Sequence, residues 1–305
     1  MSTAESGLAV EGIGEYVAAV EARLHAAVEW GGGRAADAAA GTLRAGGKRL
    51  RPMLVYLSAP VAGRGRPQLA TAGCAVELVH MATLVHDDML DAAPLRRGRA
   101  TVWREHGPEI ARATGDYLFA RAFAQLVETD DMQAVGVLSR ACLALAHGEI
   151  MQREQAGNPA TTPEEYLERC RLKTGRLFAA AAMLGGRLGG LPQPDVELLG
   201  EFGVALGLAF QVADDILDCD GQPDTTGKPL GTDLLDGTVT LPLILAAQRD
   251  PQVAEVIARG AGARRRAADP GQGGPLGRRP RRSCGGGAAR GRRPQDDRSA
   301  GRRAG

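Results

Sequence analysis

Two stretches, HDDMLD at residues 86–91 and DDILD at residues 214–218, decide how this chain folds and what it can bind. Both contain the pattern D-D-x-x-D, and both lie inside long runs with helical hydrophobic spacing. Positions i and i+4 share one face of a helix, so each stretch offers a cluster of carboxylates. Because such carboxylates repel one another, a fold that gathers them needs a cation, and Mg²⁺ takes oxygen ligands and keeps sites open for phosphate.

One such motif alone is usually a solvated helix end. Two copies with the same spacing, each in a largely apolar helix and each near basic residues, favour a metal-and-phosphate site instead. If the two clusters face each other, they make a site for a diphosphate.

The composition favours packed helices. Hydrophobic residues make up 44% of the 305-residue chain but aromatic residues only 4%, so the core must consist mainly of Ala, Leu, Val and Ile. Such residues favour helices over a β-sandwich, and no run of residues shows the alternation typical of strands. We therefore predict an all-α fold.

The chain divides at about residue 260. Residues 1–260 carry 24 basic and 33 acidic residues, a balance of −9, and we assign them to a single helical domain. Residues 261–305 carry 13 Arg and 3 Asp, a balance of +10, with almost no large apolar side chain. This Arg/Gly-rich tail cannot bury enough surface to offset the entropy of ordering, so we predict disorder. Its abrupt start is typical of a reading-frame change, and a natural basic extension is the rival interpretation.

Five scattered cysteines, with no C-x-x-C motif, indicate reduced thiols and a cytoplasmic protein. The N-terminus has no basic region followed by an apolar run, so we expect no signal peptide. No stretch reaches about 18 uninterrupted apolar residues, so we expect no transmembrane segment. The basic tail lacks interleaved aromatic residues, so we expect no nucleic-acid partner.

Basic residues cluster in two predicted loops. GGKRLRP at residues 46–52 combines two glycines, three cations and a proline suited to the first turn of a helix, which together can bind an anion. LRRGR at residues 95–99 places three cations directly after the first aspartate motif. Thr162 is a candidate N-cap before Pro163, and Gly175 in mid-helix indicates a kink or a close approach. Helices are expected over residues 8–30, 68–91, 109–127, 130–154, 195–218 and 241–257, and a long loop over 219–237.

These motifs give the chain a resemblance to the trans-isoprenyl diphosphate synthases, or polyprenyl synthetases. The resemblance rests on GGKRLRP at 46–52, ELVH at 77–80 leading into HDDMLD at 86–91, and LRRG at 95–98. It continues in KTG at 173–175, QVADDILD at 211–218 and the lysine loop at 224–231. The match runs in order from about residue 13 to residue 249.

The resemblance implies a single large helical bundle around a central cavity, with the two aspartate motifs facing each other across it. It also implies three Mg²⁺ ions, isopentenyl diphosphate and an allylic diphosphate as substrates, and a homodimer. Carbon–oxygen cleavage, attack by the double bond and loss of a proton would follow in that order.

Site residues follow from the same resemblance. The implied catalytic residues are Asp87, Asp88, Asp91, Lys173 and Asp214. The implied metal ligands are Asp87, Asp88, Asp91, Asp214 and Asp218, with Asp215 nearby. The implied contacts to the allylic diphosphate are Arg96, Lys173, Thr174, Gln211 and Lys228. The implied contacts to isopentenyl diphosphate are Lys48, Arg51, His80 and Arg97.

Product length is expected to depend on residues one turn before Asp87. Those positions hold Ala82 and Thr83, which are small. In the family that the chain resembles, small residues there permit long products, so we predict geranylgeranyl diphosphate or longer.

Two departures from the family pattern keep alternatives open. Thr238 stands where the family often has a second lysine after the lysine loop, and the Arg/Gly-rich tail replaces further apolar helices. One alternative is a class I terpene cyclase, although Lys48, Arg51 and His80 argue against it because a cyclase needs no second diphosphate site. The other is an inactive or partner-dependent subunit of a prenyl synthase.

Overall fold

The computed structural model describes residues 10–220, 231–235 and 237–268, with the backbone alone described at 232, 235 and 260–268. The described chain is all-α apart from one small hairpin, which confirms the predicted fold class. In chain order the first elements are α1 (Ile13–Glu29), α2 (Arg34–Arg44), α3 (Leu50–Ser58), a 3₁₀ turn (Val61–Gly63), α4 (Pro67–Leu90), β1 (Leu95–Arg96) and β2 (Arg99–Ala100). The rest are α5 (Val102–His106), α6 (Pro108–Val127), α7 (Met132–Gln155), α8 (Pro163–Cys170), a π-helical segment (Arg171–Gly175), α9 (Arg176–Gly189), α10 (Gln193–Asp220), α11 (Thr232–Leu235), α12 (Leu241–Ala247) and α13 (Pro251–Ala268).

Helix α4, which ends in the first aspartate motif, lies at the centre of the bundle. Every residue from Leu69 to Val79 is buried, and the helix packs against α1, α3, α6 and α9. The surrounding core consists almost entirely of Ala, Val and Leu side chains. A helix buried on nearly all sides is a rigid support, so the aspartates at its end are held at a fixed place.

The second aspartate helix, α10, packs closely on α9 through glycines. A Cβ atom at Gly203 would lie 2.5 Å from the Ala179 Cα atom, and one at Gly207 would lie 2.7 Å from the Gly175 Cα atom. The two backbones therefore touch at positions where no side chain fits. This contact fixes α10 against the π-helical segment that precedes α9.

Helix signals in the sequence were largely sufficient to locate the helices. Thr162 caps α8 in a capping box with Glu165, and Pro163 occupies the first turn, as predicted. The bounds of α4, α6 and α10 lie within about two residues of those predicted. Gly175 in mid-helix marks the π-helical segment, which is a common form of local distortion at functional sites.

Three predictions need correction. The single helix predicted over 241–257 is two helices, because Pro251 cannot continue a helix and disfavours helical backbone at Asp250. The hairpin of β1 and β2 was not predicted, since strands of two residues give no alternation to detect. Part of the loop predicted over 219–237 is helical, because α10 continues to Asp220 and α11 covers Thr232–Leu235.

Helix α13 continues to Ala268, eight residues beyond the proposed domain boundary. Residues 269–305 lie outside the described residues, so the disorder predicted for the tail stays a prediction.

Three helices are long and apolar enough, by length and composition, to cross a membrane: α4, α7 and α10. In α4, 78% of the most apolar window is buried within the bundle, which accounts for its hydropathy. In α10 only 22% is buried. The outer face of α10 exposes a stripe of large apolar side chains at spacings of four residues: Leu198, Phe202, Leu206 and Phe210. The expected lack of a transmembrane segment stays a prediction.

Candidate active site

Each aspartate of the first motif contacts a different cation. Asp87 Oδ2 lies 3.5 Å from Lys173 Nζ, Asp88 Oδ1 lies 2.7 Å from Arg96 Nε, and Asp91 Oδ1 lies 3.0 Å from Arg153 Nη2. The motif ends α4, where the helix dipole adds negative charge and makes nearby cations favourable. The structure thus gathers the predicted residues Arg96 and Lys173 at this motif.

Burial changes the acidity of this motif. It raises the pKa of Asp87 to about 6, although Lys173 opposes the shift. It also raises the pKa of Asp88, against the opposing effect of Arg96. Carboxylates buried this deeply are costly to ionise, so the site favours the approach of further positive charge.

The second motif is organised around Asp215. This residue is buried, with 4% of its surface exposed, and accepts hydrogen bonds from the Tyr166 hydroxyl (2.7 Å) and from Gln211 Nε2 (2.8 Å). Burial raises the pKa of Asp215 despite these two donors. Asp214 is exposed, and Asp218 accepts a hydrogen bond from the backbone N–H of Asp233 (3.0 Å).

The π-helical segment connects the two motifs. Lys173 reaches Asp87, while the hydroxyl of the next residue, Thr174, donates to Gln211 Oε1 at 2.8 Å. Gln211 in turn holds Asp215. A cavity of about 170 Å³ lies between the motifs and is lined by Asp91, Gln152, Arg169, Cys170, Lys173, Thr174, Gln211, Asp215, Asp233 and Thr238. The two motifs therefore meet at one cavity, as predicted.

Three of the predicted residues, Arg51, His80 and Arg97, form a cluster of basic groups beside the first motif, here called the basic pocket. Arg51 is partly buried, stacks over the Phe178 ring at 4.7 Å and has a buried Nε atom without a hydrogen-bond partner. Burial lowers the pKa of Arg51 to about 10, against the opposing effect of Glu77. The guanidinium of Arg97 lies beside Gly47, where a Cβ atom would be 3.1 Å from Arg97 Nη1. The predicted residue Lys48 is exposed.

His80 is neutral in this pocket. Burial lowers its pKa well below the usual value, and Arg51, Arg97, Arg96 and Arg49 lower it further. A neutral imidazole among several guanidinium groups can still donate one hydrogen bond. The concentration of positive charge and the unpartnered Arg51 Nε atom fit a multiply charged anion such as a diphosphate.

Four residues that contact this machinery were not among the predicted site residues. Arg49 is buried and bonds Glu21 (2.5 Å) and Glu77 (2.9 Å), so its role is to join α1, α3 and α4. Glu149 and Arg153 of α7 lie 2.7 Å apart and contact Lys173 and Asp91. Tyr166 of α8 bonds Asp215. The i,i+4 spacing of Glu149 and Arg153 was a visible signal, whereas Tyr166 gave none.

Glu149 is ionised in this arrangement. Burial works to raise its pKa, but Lys173 and Arg153 together hold it below the usual range.

The two residues predicted to set product length lie in different surroundings. Thr83 is partly exposed on the same face as His80 and Asp87, and its hydroxyl donates to the His80 carbonyl (2.7 Å). Ala82 has no exposed surface and belongs to the main core. Lys228 lies outside the described residues, so its predicted role is untested.

A larger cavity, about 690 Å³, lies at the other end of α4. It is lined by Arg66, Gln68, Thr129, Asp130, Asp131, Met132, Gln133, Arg187 and Leu188. None of the predicted site residues reaches it, so its size does not make it the active site.

Within the part of the chain that is described, no group of three His, Cys, Asp or Glu side chains is arranged as a metal site. In the first motif, Lys173, Arg96 and Arg153 each contact one aspartate. The donor set nevertheless fits Mg²⁺, because it consists of carboxylate oxygens and because a cation would favour the ionised form of Asp87, which burial disfavours.

A helical bundle in which two aspartate motifs meet at one cavity beside a basic pocket has the features of enzymes that activate diphosphates. A family model described as "Polyprenyl synthetase" matches residues 34–269. The chain belongs to the polyprenyl synthetase family, which confirms the predicted family and the prenyltransferase class.

Proteins with similar sequences are named as prenyl diphosphate synthases. "Heptaprenyl diphosphate synthase component 2" of Geobacillus stearothermophilus is 42% identical over 246 residues, which are 81% of this chain and 77% of that protein. "Octaprenyl diphosphate synthase" of Escherichia coli is 37% identical over 213 residues, or 70% of this chain and 66% of that protein. This chain therefore spans about two thirds to three quarters of these relatives.

Solved structures share the fold. A polyprenyl synthase from Caulobacter crescentus, crystallised with calcium and isoprenyl diphosphate, superimposes with a TM-score of 0.77 and 38% identity, covering 84% of this chain and 80% of that one. A heptaprenyl diphosphate synthase from Staphylococcus aureus gives a TM-score of 0.76 and 31% identity, covering 81% and 78%.

Proposed function

We propose that this protein is a polyprenyl diphosphate synthase that condenses isopentenyl diphosphate with an allylic diphosphate. The observation that supports it most is the pairing of two features: a cavity shared by both aspartate motifs, and a separate pocket built by Arg51, His80 and Arg97. We assign one diphosphate to each, so that the two substrates would lie side by side.

The allylic diphosphate would lie in the shared cavity. Lys173 offers an ammonium group, Thr174 a hydroxyl and Gln211 an amide, and Arg96 stands beside Asp88. Magnesium ions held by Asp87, Asp88, Asp91, Asp214 and Asp218, three in number by family resemblance, would neutralise the diphosphate and make it a better leaving group. Lys173 and Arg96 stabilise the negative charge that develops on the same oxygens.

The basic pocket would bind isopentenyl diphosphate without ionising it. Arg51 and Arg97 hold its charge, and neutral His80 donates one hydrogen bond. Held in this way, the double bond of isopentenyl diphosphate attacks the allylic carbocation at close range. The new bond leaves a tertiary carbocation on the isopentenyl unit, and the proton lost from the adjacent carbon passes to the departing diphosphate, because no described carboxylate is placed as a dedicated base.

Water must be kept from the carbocation, which requires the site to close over the bound substrates. Growth of the product would proceed along the face of α4 that carries Thr83. Small residues there favour a product of geranylgeranyl length or longer.

We also propose a homodimer and a cytoplasmic location. Apolar side chains that are more than half exposed on α7, Leu143 and Ile150, support burial against another subunit. The four described cysteines are free thiols, which is typical of a reducing compartment.

A second candidate is a subunit that needs a partner. It is supported by the exposed apolar stripe of α10 and by the name of the Geobacillus relative, which is component 2 of a heptaprenyl diphosphate synthase.

The test is an assay of the purified protein with labelled isopentenyl diphosphate, an allylic primer and Mg²⁺. An elongated diphosphate is the expected product. A cyclised hydrocarbon would indicate a terpene cyclase instead, and no product from the chain alone would favour the partner-dependent subunit.

A further inference from the structure

Glu149 stands at the middle of a chain of five charges that joins both ends of the first aspartate motif. Its Oε2 atom lies 2.5 Å from Lys173 Nζ, and its Oε1 atom lies 2.7 Å from Arg153 Nε. Lys173 continues to Asp87 (3.5 Å), and Arg153 continues to Asp91 (3.0 Å). Each carboxylate oxygen of Glu149 therefore serves one cation, and each cation is shared with one motif aspartate.

The backbone brings Glu149 to this place by a close contact. A Cβ atom on the preceding residue, Gly148, would lie 2.7 Å from the backbone nitrogen of Lys173 and 3.0 Å from its Cα atom. Helix α7 thus touches the π-helical segment at the backbone of Lys173, from which the Lys173 side chain projects. This placement does not depend on the flexible ends of the two side chains.

Lys173 is shared unequally between Glu149 and Asp87, and this determines the role that Glu149 can have. Lys173 lies 1 Å closer to Glu149 than to Asp87. A divalent cation on Asp87 and Asp91 would displace both Lys173 and Arg153 from the aspartates and repel them. Glu149 is the remaining counter-charge that both already contact, so it keeps them at the rim of the cavity with N–H groups still available.

We propose that Glu149 is a positioning residue that holds Lys173 and Arg153 in place for the allylic diphosphate when a divalent cation occupies the aspartates. This inference rests on the proposed function for the identity of the substrate, but the contacts that carry it belong to this chain alone. Because both Glu149 oxygens already serve cations, Glu149 acts through Lys173 and Arg153 and is not a metal ligand.

The first test compares Glu149→Gln with wild type by calorimetric titration of inorganic pyrophosphate in the presence of Mg²⁺. We expect binding about tenfold weaker in the variant, since charge-assisted hydrogen bonds to the two cations are lost. Glu149→Asp, which keeps the charge, should recover part of this loss. Glu154→Gln is the matched control, because Glu154 is exposed on the same helix and should bind as wild type does.

The second test is a double-variant cycle. If Glu149 works partly through Lys173, Glu149→Gln should weaken pyrophosphate binding less in a Lys173→Met background than in wild type. In the condensation assay, Glu149→Gln should raise KM for the allylic substrate about tenfold and change KM for isopentenyl diphosphate less than twofold.

Additive losses in the cycle would overturn the inference, as would unchanged pyrophosphate binding by Glu149→Gln. Binding of Mn²⁺ without pyrophosphate can be measured by electron paramagnetic resonance. If Glu149→Gln loses this binding, Glu149 is a metal ligand and the inference is overturned too. Wild type that does not bind pyrophosphate with Mg²⁺ would also refute it. Wild type that binds pyrophosphate but elongates nothing would refute the proposed function alone.

Discussion

Lys173 and Thr174 are neighbours in the chain, yet they reach opposite aspartate motifs. Lys173 Nζ lies 3.5 Å from Asp87 of the first motif, and Thr174 Oγ1 donates at 2.8 Å to Gln211, which holds Asp215 of the second. Both residues lie in the π-helical segment, whose wider turn departs from the regular spacing of side chains along an α-helix. The two motifs are thus joined by two consecutive residues.

Removing the Thr174 hydroxyl should loosen the second motif. Thr174→Val keeps the shape of the side chain but leaves the Gln211 amide without its partner, at a cost of about 1–2 kcal/mol. We expect KM for the allylic diphosphate to rise roughly tenfold, measured by steady-state kinetics. Thr129→Val, which also removes a hydroxyl bond but lies near the far end of α6, is the control. Equal kinetics for Thr174→Val and wild type would contradict the role given to this bond.

The pH dependence of stability should reveal the cost of ionising the buried Asp87 carboxyl group. Its pKa is raised from 3.8 to about 6, so the folded state binds more protons than the unfolded state between these values. Stability is therefore lost as pH rises through this window. Without Mg²⁺, Asp87→Asn should be more stable than wild type by about 1–2 kcal/mol above pH 6, and equally stable near pH 4.

Thermal or urea unfolding across that pH range measures this difference. Glu201→Gln removes a carboxylate that is exposed on α10, and its difference from wild type should not vary across the window. An Asp87→Asn variant less stable than wild type at pH 7.5 would show that ion pairing with Lys173 outweighs burial.

Divalent cations should offset the destabilisation caused by ionised Asp87. Mg²⁺ with pyrophosphate is expected to raise the unfolding temperature of wild type, because a ligand that binds only the folded state stabilises it. Asp87→Asn should lose most of that increase. Removal of Mg²⁺ by EDTA should return wild type to its lower value, and indifference of wild type to both treatments would count against a metal site.

The two small residues before the first motif should respond differently to enlargement. Thr83→Phe places a ring on the partly exposed face beside His80 and should shorten the product, read by chromatography. Ala82→Phe forces a ring into a fully buried core position and should destabilise the fold by about 1–3 kcal/mol or more. A Thr83→Phe variant with products of unchanged length would remove Thr83 from the determinants of product length.

Replacing Arg51 should weaken the binding of isopentenyl diphosphate only. Arg51→Met removes a buried cation of the basic pocket and should raise KM for isopentenyl diphosphate at least tenfold, with little change for the allylic substrate. Arg64→Met is a close control, because Arg64 likewise stacks on an aromatic ring and has a buried, unpartnered Nε atom. Equal losses for both substrates would mean that the two sites are not separate.

The sequence was sufficient for the helices and the aspartate motifs because their signals are local. Spacing, Pro163 and the Thr162 cap fix where α4, α8 and α10 begin or end, and Pro251 could have located the break that the prediction missed. The side chains that contact the aspartates could not be predicted from local signals. That Glu149 meets Lys173, or that Tyr166 meets Asp215, depends on how α7 and α8 pack, which no spacing along one helix encodes.

The central claim is that both aspartate motifs act at one cavity on a substrate held beside isopentenyl diphosphate. The most direct measurement is mass spectrometry of the products formed from isopentenyl diphosphate and an allylic diphosphate with Mg²⁺. Wild type should yield elongated diphosphates, and Asp91→Asn and Asp215→Asn should each lower turnover about a hundredfold or more. Undiminished elongation by either variant, or no elongation by wild type, would contradict the account.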